Sequence, residues 1–142
     1  MMAVTRYAFQ ATKRERGFTL VEVIVTLAIV GVISAVAIPS YTRHIASTHR
    51  SAAKAILGES AQFMERYYTT NNSYVGAALV SAVSPKNATG TAVRYNISFV
   101  ATPTADAWQV QAVPANAQAG DSCGTLKLSA TGAQEAGAAN CW

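Results

Sequence analysis

The first long pattern in the chain is an almost unbroken apolar stretch near the N-terminus. Between Phe18 and Ile38 the only ionisable side chain is Glu22. As an α-helix this stretch would be roughly 31 Å long, which is about the thickness of the hydrocarbon layer of a bilayer. A buried helix of a soluble protein is rarely apolar on every face over such a length. The pattern therefore predicts one membrane-spanning helix.

Beyond Pro39 the apolar residues change to a helical spacing of three, four and seven. They are Ile45, Ala52, Ala53, Ile56, Leu57, Phe63, Met64 and Tyr67. This spacing is typical of an amphipathic helix with one apolar stripe. Because proline removes a backbone hydrogen bond, we expect one long helix over residues 18–68 with a bend or local disruption near Pro39.

The second half of the chain alternates between apolar and polar residues, which is the period of a half-buried β-strand. The alternating segments are residues 93–100, 107–113 and 124–130. Short turns between them favour antiparallel pairing. The stripe of residues 45–67 is the available cover for the buried face of this sheet. The sequence therefore predicts an α+β fold in which a long N-terminal helix packs on a small antiparallel sheet.

Two segments lack a strong pattern. Residues 69–92 are rich in Thr, Ser, Asn, Gly and Ala, which is typical of a surface connection, with a short helix or strand near Gly76–Val83. The tail Thr131–Trp142 has too few apolar side chains to be held by burial alone.

Charge gives the membrane helix a direction. Residues 1–17 contain four Lys and Arg side chains against Glu15 alone, and excess positive charge stays on the cytoplasmic side. We therefore expect a cytoplasmic N-terminus and an exported segment of residues 40–142. The formal net charge of +4 comes mostly from the first 17 residues, so it is poor evidence for binding of nucleic acid.

The two cysteines, Cys123 and Cys141, both lie in the exported segment. An even number of cysteines in an oxidising compartment predicts a disulfide bond. The bond would hold the tail against the strand that starts near Cys123 and would stabilise the fold by roughly 3 kcal/mol.

The sequence offers no candidate for catalysis, for a cofactor or for a metal. His44 and His49 are five residues apart, which is a poor spacing for one helical face, and the only aspartates are Asp106 and Asp121. No nucleophile, base and orienting group come together in the pattern. We therefore expect a protein that is not an enzyme.

Arg16–Tyr41 resembles the N-terminal signature of type IV pilins and of the related pseudopilins of type II secretion. The matching positions are Gly17, Phe18, Glu22 and Pro39. The segment Cys123–Trp142 is also similar to the disulfide-bounded region of type IV pilins, especially of short minor pilins that end in Cys-Trp.

The resemblance implies a maturation route. Residues 1–17 would be a leader, a prepilin peptidase would cut after Gly17, and the same enzyme would methylate the new amino group of Phe18. Residues 18–39 would span the inner membrane and later form the filament core, while residues 40–142 would form a head in the periplasm. An assembly platform in the inner membrane would then move the subunit into an extracellular pilus with other pilin subunits.

Within this resemblance Glu22 has a specific expected role. A carboxylate buried in a filament core is costly unless it is paired. Cleavage after Gly17 creates an amine at Phe18, and Glu22 could neutralise that amine on a neighbouring subunit. Under this hypothesis, the pair of Glu22 and Phe18 determines how one subunit aligns with the next during assembly.

Several functions remain open at this point. The first is a structural subunit of a type IV pilus that serves twitching motility, adhesion or DNA uptake, with a minor pilin favoured over a major one and both open. The second is a pseudopilin of type II secretion, although major pseudopilins commonly use calcium where this chain has a cysteine pair. The third is a DNA-binding minor pilin of competence. Its candidate cations, Lys86, Arg94 and Lys127, are scattered as on an ordinary solvated surface, so DNA is not the expected partner. The last is an ordinary membrane-anchored periplasmic domain.

Overall fold

The computed structural model describes residues 17–142 as one long helix followed by five strands. Helix α1 is Leu20–Asn71, and the strands are β1 (Val83–Ser84), β2 (Tyr95–Phe99), β3 (Gln109–Pro114), β4 (Leu126–Ser129) and β5 (Gln134–Glu135). Short 3-10 turns occur at Gly90–Ala92 and Asn116–Gln118. The predicted combination of one long helix, a small antiparallel sheet and a C-terminal disulfide is confirmed.

The N-terminal part of α1, up to Pro39, forms a compact unit separate from residues 40–142. Its apolar side chains are exposed, and α1 contains an 18-residue window with a mean hydropathy of 2.6, of which 0% is buried. By length and composition alone this helix could cross a membrane. The predicted leader, apart from Gly17, lies outside the described residues.

Helix α1 is continuous through Pro39. The predicted local disruption at this position is therefore not observed, because losing one backbone hydrogen bond does not end a helix whose neighbours on both sides remain helical. A bend at Pro39 stays a prediction. The helix ends at Asn71 rather than at residue 68, and the next residue, Asn72, takes a left-handed conformation with a φ of 53°. Asparagine tolerates this conformation better than most residues, and it commonly ends helices.

The sheet is a simple antiparallel meander in the order β1-β2-β3-β4-β5. Ala112 in the central strand β3 lies opposite Ile97 of β2 on one side and Leu126 of β4 on the other. The three predicted strands therefore pair as expected. The edge strands β1 and β5 have two residues each, which is too short for an alternating pattern to be recognised in the sequence.

The core lies between the second half of α1 and one face of the sheet. The buried residues of the helix are Ala53, Ile56, Leu57, Ser60 and Met64, and those of strands β2–β4 include Tyr95, Ile97, Val110, Ala112, Leu126 and Leu128. These positions confirm the centre of the predicted stripe and most of the predicted alternation, while Phe63, Tyr67 and Phe99 are partly buried against the core. Ile45 was expected to lie on the buried stripe, but it is exposed and lines an open pocket together with Ala117 and Gln118.

Candidate functional site

The residues that carry the N-terminal signature lie at the start of the described chain. Gly17, Phe18 and Thr19 precede α1 and have no helical structure, and the Phe18 side chain is 83% exposed. A Cβ atom added to Gly17 would have no other heavy atom within 4 Å. Packing among residues 17–142 therefore does not require glycine at this position.

Thr19 caps the first turn of α1. Its side-chain Oγ1 accepts a hydrogen bond from the backbone N–H of Glu22 at 3.2 Å, and its carbonyl accepts one from Val23 N–H at 3.2 Å. A threonine followed three residues later by a glutamate is the spacing of a capping box. Sequence reasoning missed this cap, although the signal was present in the motif.

Glu22 consequently lies in the first turn of the helix, with its side chain exposed. A carboxylate in this position interacts favourably with the partial positive charge at the N-terminal end of a helix. Phe18 is joined to Gly17 in the described chain, so its amine does not yet exist. The pairing of Glu22 with Phe18 stays a prediction.

The C-terminal disulfide joins Cys123 and Cys141, whose Cα atoms are 5.7 Å apart. The bond spans a sequence separation of 18 residues that includes β4 and β5. Inside this loop the N–H of Gly137 donates to the Cys123 carbonyl at 2.8 Å. The predicted disulfide is confirmed.

A second contact holds the tail at its last residue. The indole Nε1 of Trp142 donates to the carbonyl of Glu135 at 2.8 Å, and Nζ of Lys54 lies 5.8 Å from the centroid of the Trp142 ring. The tail therefore contacts helix α1 as well as β5. Sequence reasoning assigned the tail to the disulfide alone and missed this aromatic contact.

A buried carboxylate joins the helix, the sheet and the loop before the disulfide. The Asp121 side chain is 1% exposed and accepts hydrogen bonds from the Arg50 guanidinium, the Tyr95 hydroxyl, the Gln118 amide and the backbone N–H of Cys123. These five residues, which we call the Asp121 network, come from α1, β2 and the segment between β3 and β4. A buried charge needs such pairing to be tolerated.

The network shifts the pKa values of its members. Burial alone would raise the pKa of Asp121, but hydrogen bonds from Arg50 and Tyr95 outweigh it and hold that pKa well below the usual range. The hydrogen bond to Asp121 raises the pKa of Arg50. Burial, followed by the hydrogen bond to Asp121, raises the pKa of Tyr95 to about 12. The ionised carboxylate and the neutral phenol are thus the stable forms over the physiological range.

A pocket of about 260 Å³ lies beside this network, between the first turns of α1 after Pro39 and the loop that follows β3. Its lining residues are Tyr41, Thr42, Ile45, Ala46, His49, Arg94, Ala117 and Gln118. We call it the helix–loop pocket. The Gln118 amide, which belongs to the Asp121 network, also donates to the Ala46 carbonyl at 3.1 Å. The loop wall of the pocket is therefore held on the helix by a partly buried hydrogen bond.

The three cations considered for DNA contact have separate local partners. Lys86 donates to Glu59 at 2.8 Å, Lys127 lies 3.5 Å from the Glu135 carboxylate, and Nη1 of Arg94 donates to the Thr91 carbonyl at 2.9 Å. Within residues 17–142, no group of three or more His, Cys, Asp or Glu side chains could hold a metal ion.

Two family profiles match the chain. Residues 12–38 match the prokaryotic N-terminal methylation motif. Residues 39–127 match the profile described as type IV minor pilin ComP, DNA uptake sequence receptor.

Several characterised proteins are similar to this chain. The fimbrial protein EcpC of Eikenella corrodens is 29% identical over 48% of this chain and 56% of its own length. The type IV wide pilus major component PilA4 of Thermus thermophilus is 34% identical over 49% of this chain and 54% of its own length. The chain spans about half the length of these relatives.

Two solved structures resemble the fold. A type IV pilin from Shewanella oneidensis aligns with a TM-score of 0.50 at 35% identity and covers 68% of this chain and 97% of its own. The non-core minor pilin PilV of Neisseria meningitidis aligns with a TM-score of 0.51 over 68% of this chain and 91% of its own. At 21% identity this second similarity concerns the fold alone.

Proposed function

The chain belongs to the type IV minor pilin family, and from this premise we propose that it is a structural subunit of a type IV pilus. In this role it is a minor component that copolymerises with other pilins.

The observation that carries the proposal is the exposed apolar half of helix α1. None of the side chains in its most apolar window is buried by the rest of the chain, and isolated soluble proteins rarely expose an apolar surface of this size. Lipid can cover it before assembly, and the same segments of other subunits can cover it in a filament. The N-terminal methylation motif over residues 12–38 supports this use of the helix.

Maturation is proposed to follow the family route. A prepilin peptidase cuts after Gly17 and methylates the amine of Phe18, both of which lie in a non-helical, exposed segment. The mature subunit then spans the inner membrane with its head in the periplasm until an assembly platform transfers it to the extracellular pilus. Glu22 is proposed to neutralise the amine of Phe18 on a neighbouring subunit.

The first experiment compares wild-type cells with a deletion strain and with a Gly17→Val variant. Filaments are sheared from the cells, and the processed chain is identified by mass spectrometry of its N-terminus. We expect wild-type filaments to contain the chain starting at methylated Phe18, while Gly17→Val accumulates as precursor in the membrane. Gly120→Ala is the control, since a Cβ atom at this head position would also meet no atom within 4 Å.

The outcomes separate the related functions. A trace of the chain in sheared filaments supports a minor pilin, and a dominant amount would indicate a major pilin. Intact pili without this chain, combined with failed secretion of exoproteins in the deletion strain, would replace the proposal with the pseudopilin function. Gly17→Val filaments with wild-type content would contradict the proposed maturation site.

DNA uptake is a second candidate function, favoured by the description of the profile that matches residues 39–127. The local pairing of Lys86 and Lys127 with carboxylates argues against an extended basic surface. The test measures binding of duplex DNA by the detergent-solubilised mature chain at several salt concentrations, because phosphate contacts make affinity fall with salt. Binding without salt dependence, or none at low salt, would remove this candidate.

A further inference from the structure

The helix–loop pocket has a mostly apolar lining with a few polar groups at it, and the proposed filament role does not use these groups. Among residues 17–142, no hydrogen bond joins the His49 imidazole or the Tyr41 hydroxyl to another residue, and the Arg94 guanidinium makes one, to Thr91. A guanidinium carries five N–H donors, so most of those on Arg94 remain available. The pocket therefore presents several donors to whatever occupies it.

The charge of the lining favours an anion. Arg94 is permanently positive, and no Asp or Glu side chain from residues 17–142 lines the pocket. Asp121 lies beside it but is neutralised within its own network, where Arg50 is its charged partner. Ile45, Ala46 and Ala117 supply apolar surface in the same cavity. An anionic group attached to carbon atoms fits this combination better than a free inorganic ion does.

The size of the pocket limits the choice further. A volume of about 260 Å³ is just below the range of roughly 300–1,000 Å³ that is common for small-molecule pockets. It is large enough for a phosphate with its attached glycerol carbons and too small for a helix or a strand of another protein.

The position of the lining along the chain indicates the source of the anion. Tyr41 and Ile45 follow the apolar end of the predicted span, Ile38, by three and seven residues. At 1.5 Å per helical residue these steps are about 5 and 10 Å, and the headgroup layer on each side of a bilayer is roughly 5–8 Å thick. Tyrosine is enriched at the depth of the lipid headgroups, and the long side chain of an arginine can extend its guanidinium toward the headgroups.

We propose that the helix–loop pocket binds the phosphate of a membrane phospholipid while the subunit is still anchored in the bilayer. Arg94 and His49 donate hydrogen bonds to the phosphate oxygens, and Ile45 contacts the adjoining carbon atoms. The Asp121 network holds the loop wall in place, so that the site exists before the lipid arrives. The inference rests on the membrane-anchored stage of the proposed function, and it implies that the subunit releases a lipid when it leaves the membrane.

The test uses the full mature chain in nanodiscs of phosphatidylethanolamine and phosphatidylglycerol. A photoreactive amino acid, p-benzoylphenylalanine, replaces Ala117, which lines the pocket and is exposed. After illumination, mass spectrometry identifies the adducts. We expect phospholipid adducts, and we expect the double variant Arg94→Gln, His49→Gln to lower their yield at least fivefold. Arg66→Gln is the matched control, because Arg66 is an exposed cation on the same helix that does not line the pocket.

Three results would overturn the proposal. The first is an unchanged lipid adduct in the double variant when near-UV circular dichroism shows it to be folded. The second is an equal loss of lipid adduct in Arg66→Gln, which would mean that positive charge on the chain attracts lipid without a specific site. The third is an adduct to a second copy of the chain in place of lipid, which would make the pocket a contact between subunits.

A parallel measurement separates this inference from the proposed function. The double variant is expressed in cells, and its content in sheared filaments is compared with that of the wild type. If the pocket binds no lipid but the chain still enters filaments, only the lipid inference fails. If the wild-type chain itself is absent from both membrane and filaments, the proposed function fails.

Discussion

At the scale of single residues, Glu22 has a local role that exists before any assembly. Its backbone N–H bonds to Thr19 Oγ1, and its carboxylate lies in the first turn of α1, where negative charge is favourable. The carboxylate therefore costs less at the start of the apolar segment than it would in the middle. This arrangement leaves it exposed and available to a second positive group, such as the amine that the proposed cleavage after Gly17 would create at Phe18.

Replacing Glu22 with valine should impair assembly more than membrane insertion. The amine of Phe18 would then lack its partner in the filament core, and an uncompensated buried charge costs roughly 3–5 kcal/mol. We expect the content of Glu22→Val in sheared filaments to fall at least about tenfold relative to its content in the membrane, measured by immunoblotting of both fractions.

Thr26→Val is the control for this prediction. It also removes a polar side chain from the same helix, but the Thr26 hydroxyl bonds only locally, to the Val23 carbonyl at 2.8 Å. Near-normal filament content for Glu22→Val would show that the charge pair is not needed.

Arg50 and Lys86 form ion pairs in very different surroundings. The Arg50 and Asp121 side chains are 17% and 1% exposed, whereas those of Lys86 and Glu59 are 46% and 42% exposed. Solvent screens the second pair, so its contribution to stability is about 1 kcal/mol or less. Removing the partner of a buried carboxylate is far more costly.

Arg50→Met should therefore lower the free energy of unfolding by about 3 kcal/mol, while Lys86→Met should change it by less than about 1 kcal/mol. Urea unfolding of the solubilised mature chain, followed by near-UV circular dichroism, measures both. If the free energy of unfolding fell by the same small amount in both variants, the hydrogen bonds from Tyr95, Gln118 and Cys123 would be sufficient to stabilise the Asp121 carboxylate.

At the scale of elements, the disulfide loop depends on close backbone packing as well as on the covalent bond. Gly137 lies against Cys123, and a Cβ atom at Gly137 would be 3.1 Å from the Cys123 carbonyl oxygen. That oxygen belongs to backbone, which cannot rotate away as a side chain could. Glycine is therefore favoured at this position, because a larger residue would push the two chain segments a few tenths of an ångström apart.

Gly137→Ala should destabilise the head by roughly 1–3 kcal/mol, because the added methyl group forces the loop away from Cys123. Gly120→Ala should be close to neutral, since a Cβ atom there meets nothing within 4 Å. Thermal unfolding of both variants with the disulfide intact gives the comparison. A Gly137→Ala variant as stable as the wild type would show that the loop yields without cost.

Helix α1 joins two environments in a single element. Its first part exposes an apolar surface on all sides, while its second part buries one stripe, including Leu57 and Met64, against the sheet. The change of pattern at Pro39 marks the boundary between the two compact units, although the helix itself is not interrupted there. The same element can therefore serve as a membrane anchor and as the core helix of the head.

At the scale of the whole molecule, the Asp121 network links stability to pH. The folded state holds the pKa of Asp121 below its usual range, and the unfolded state has an ordinary value of about 3.9. As the pH falls, the unfolded state binds the proton first, so acid favours unfolding. The stabilisation is complete above the unfolded pKa and is lost as the pH falls toward the folded one.

The free energy of unfolding should therefore decrease between pH 5 and pH 2, and Asp121→Asn should flatten this dependence. Urea midpoints at a series of pH values provide the measurement. Asp106→Asn is the control, because Asp106 is an exposed carboxylate in a turn, and it should leave the profile unchanged. A wild-type profile that is flat over this range would contradict the coupling.

Local patterns in the sequence were sufficient for the long helix, the three main strands and the disulfide. A long apolar stretch, apolar residues spaced three and four apart, and alternating apolar and polar residues each indicate one kind of element. None of these patterns depends on which other elements lie beside it. The same patterns indicated only a short helix or strand near Gly76–Val83, where β1 begins at Val83, and they missed β5, which is too short to show a period. They also misplaced Ile45, because its burial depends on where the sheet ends and not on its position in the stripe.

Tertiary structure decided the contacts between residues that are distant in sequence. Arg50, Tyr95, Gln118 and Asp121 share no motif, yet the fold brings them to one carboxylate. The helix–loop pocket likewise combines His49 of α1 with Arg94, which directly precedes β2. Periodicity records which face of an element is buried, whereas a polar site depends on which elements meet, and only the folded chain determines that.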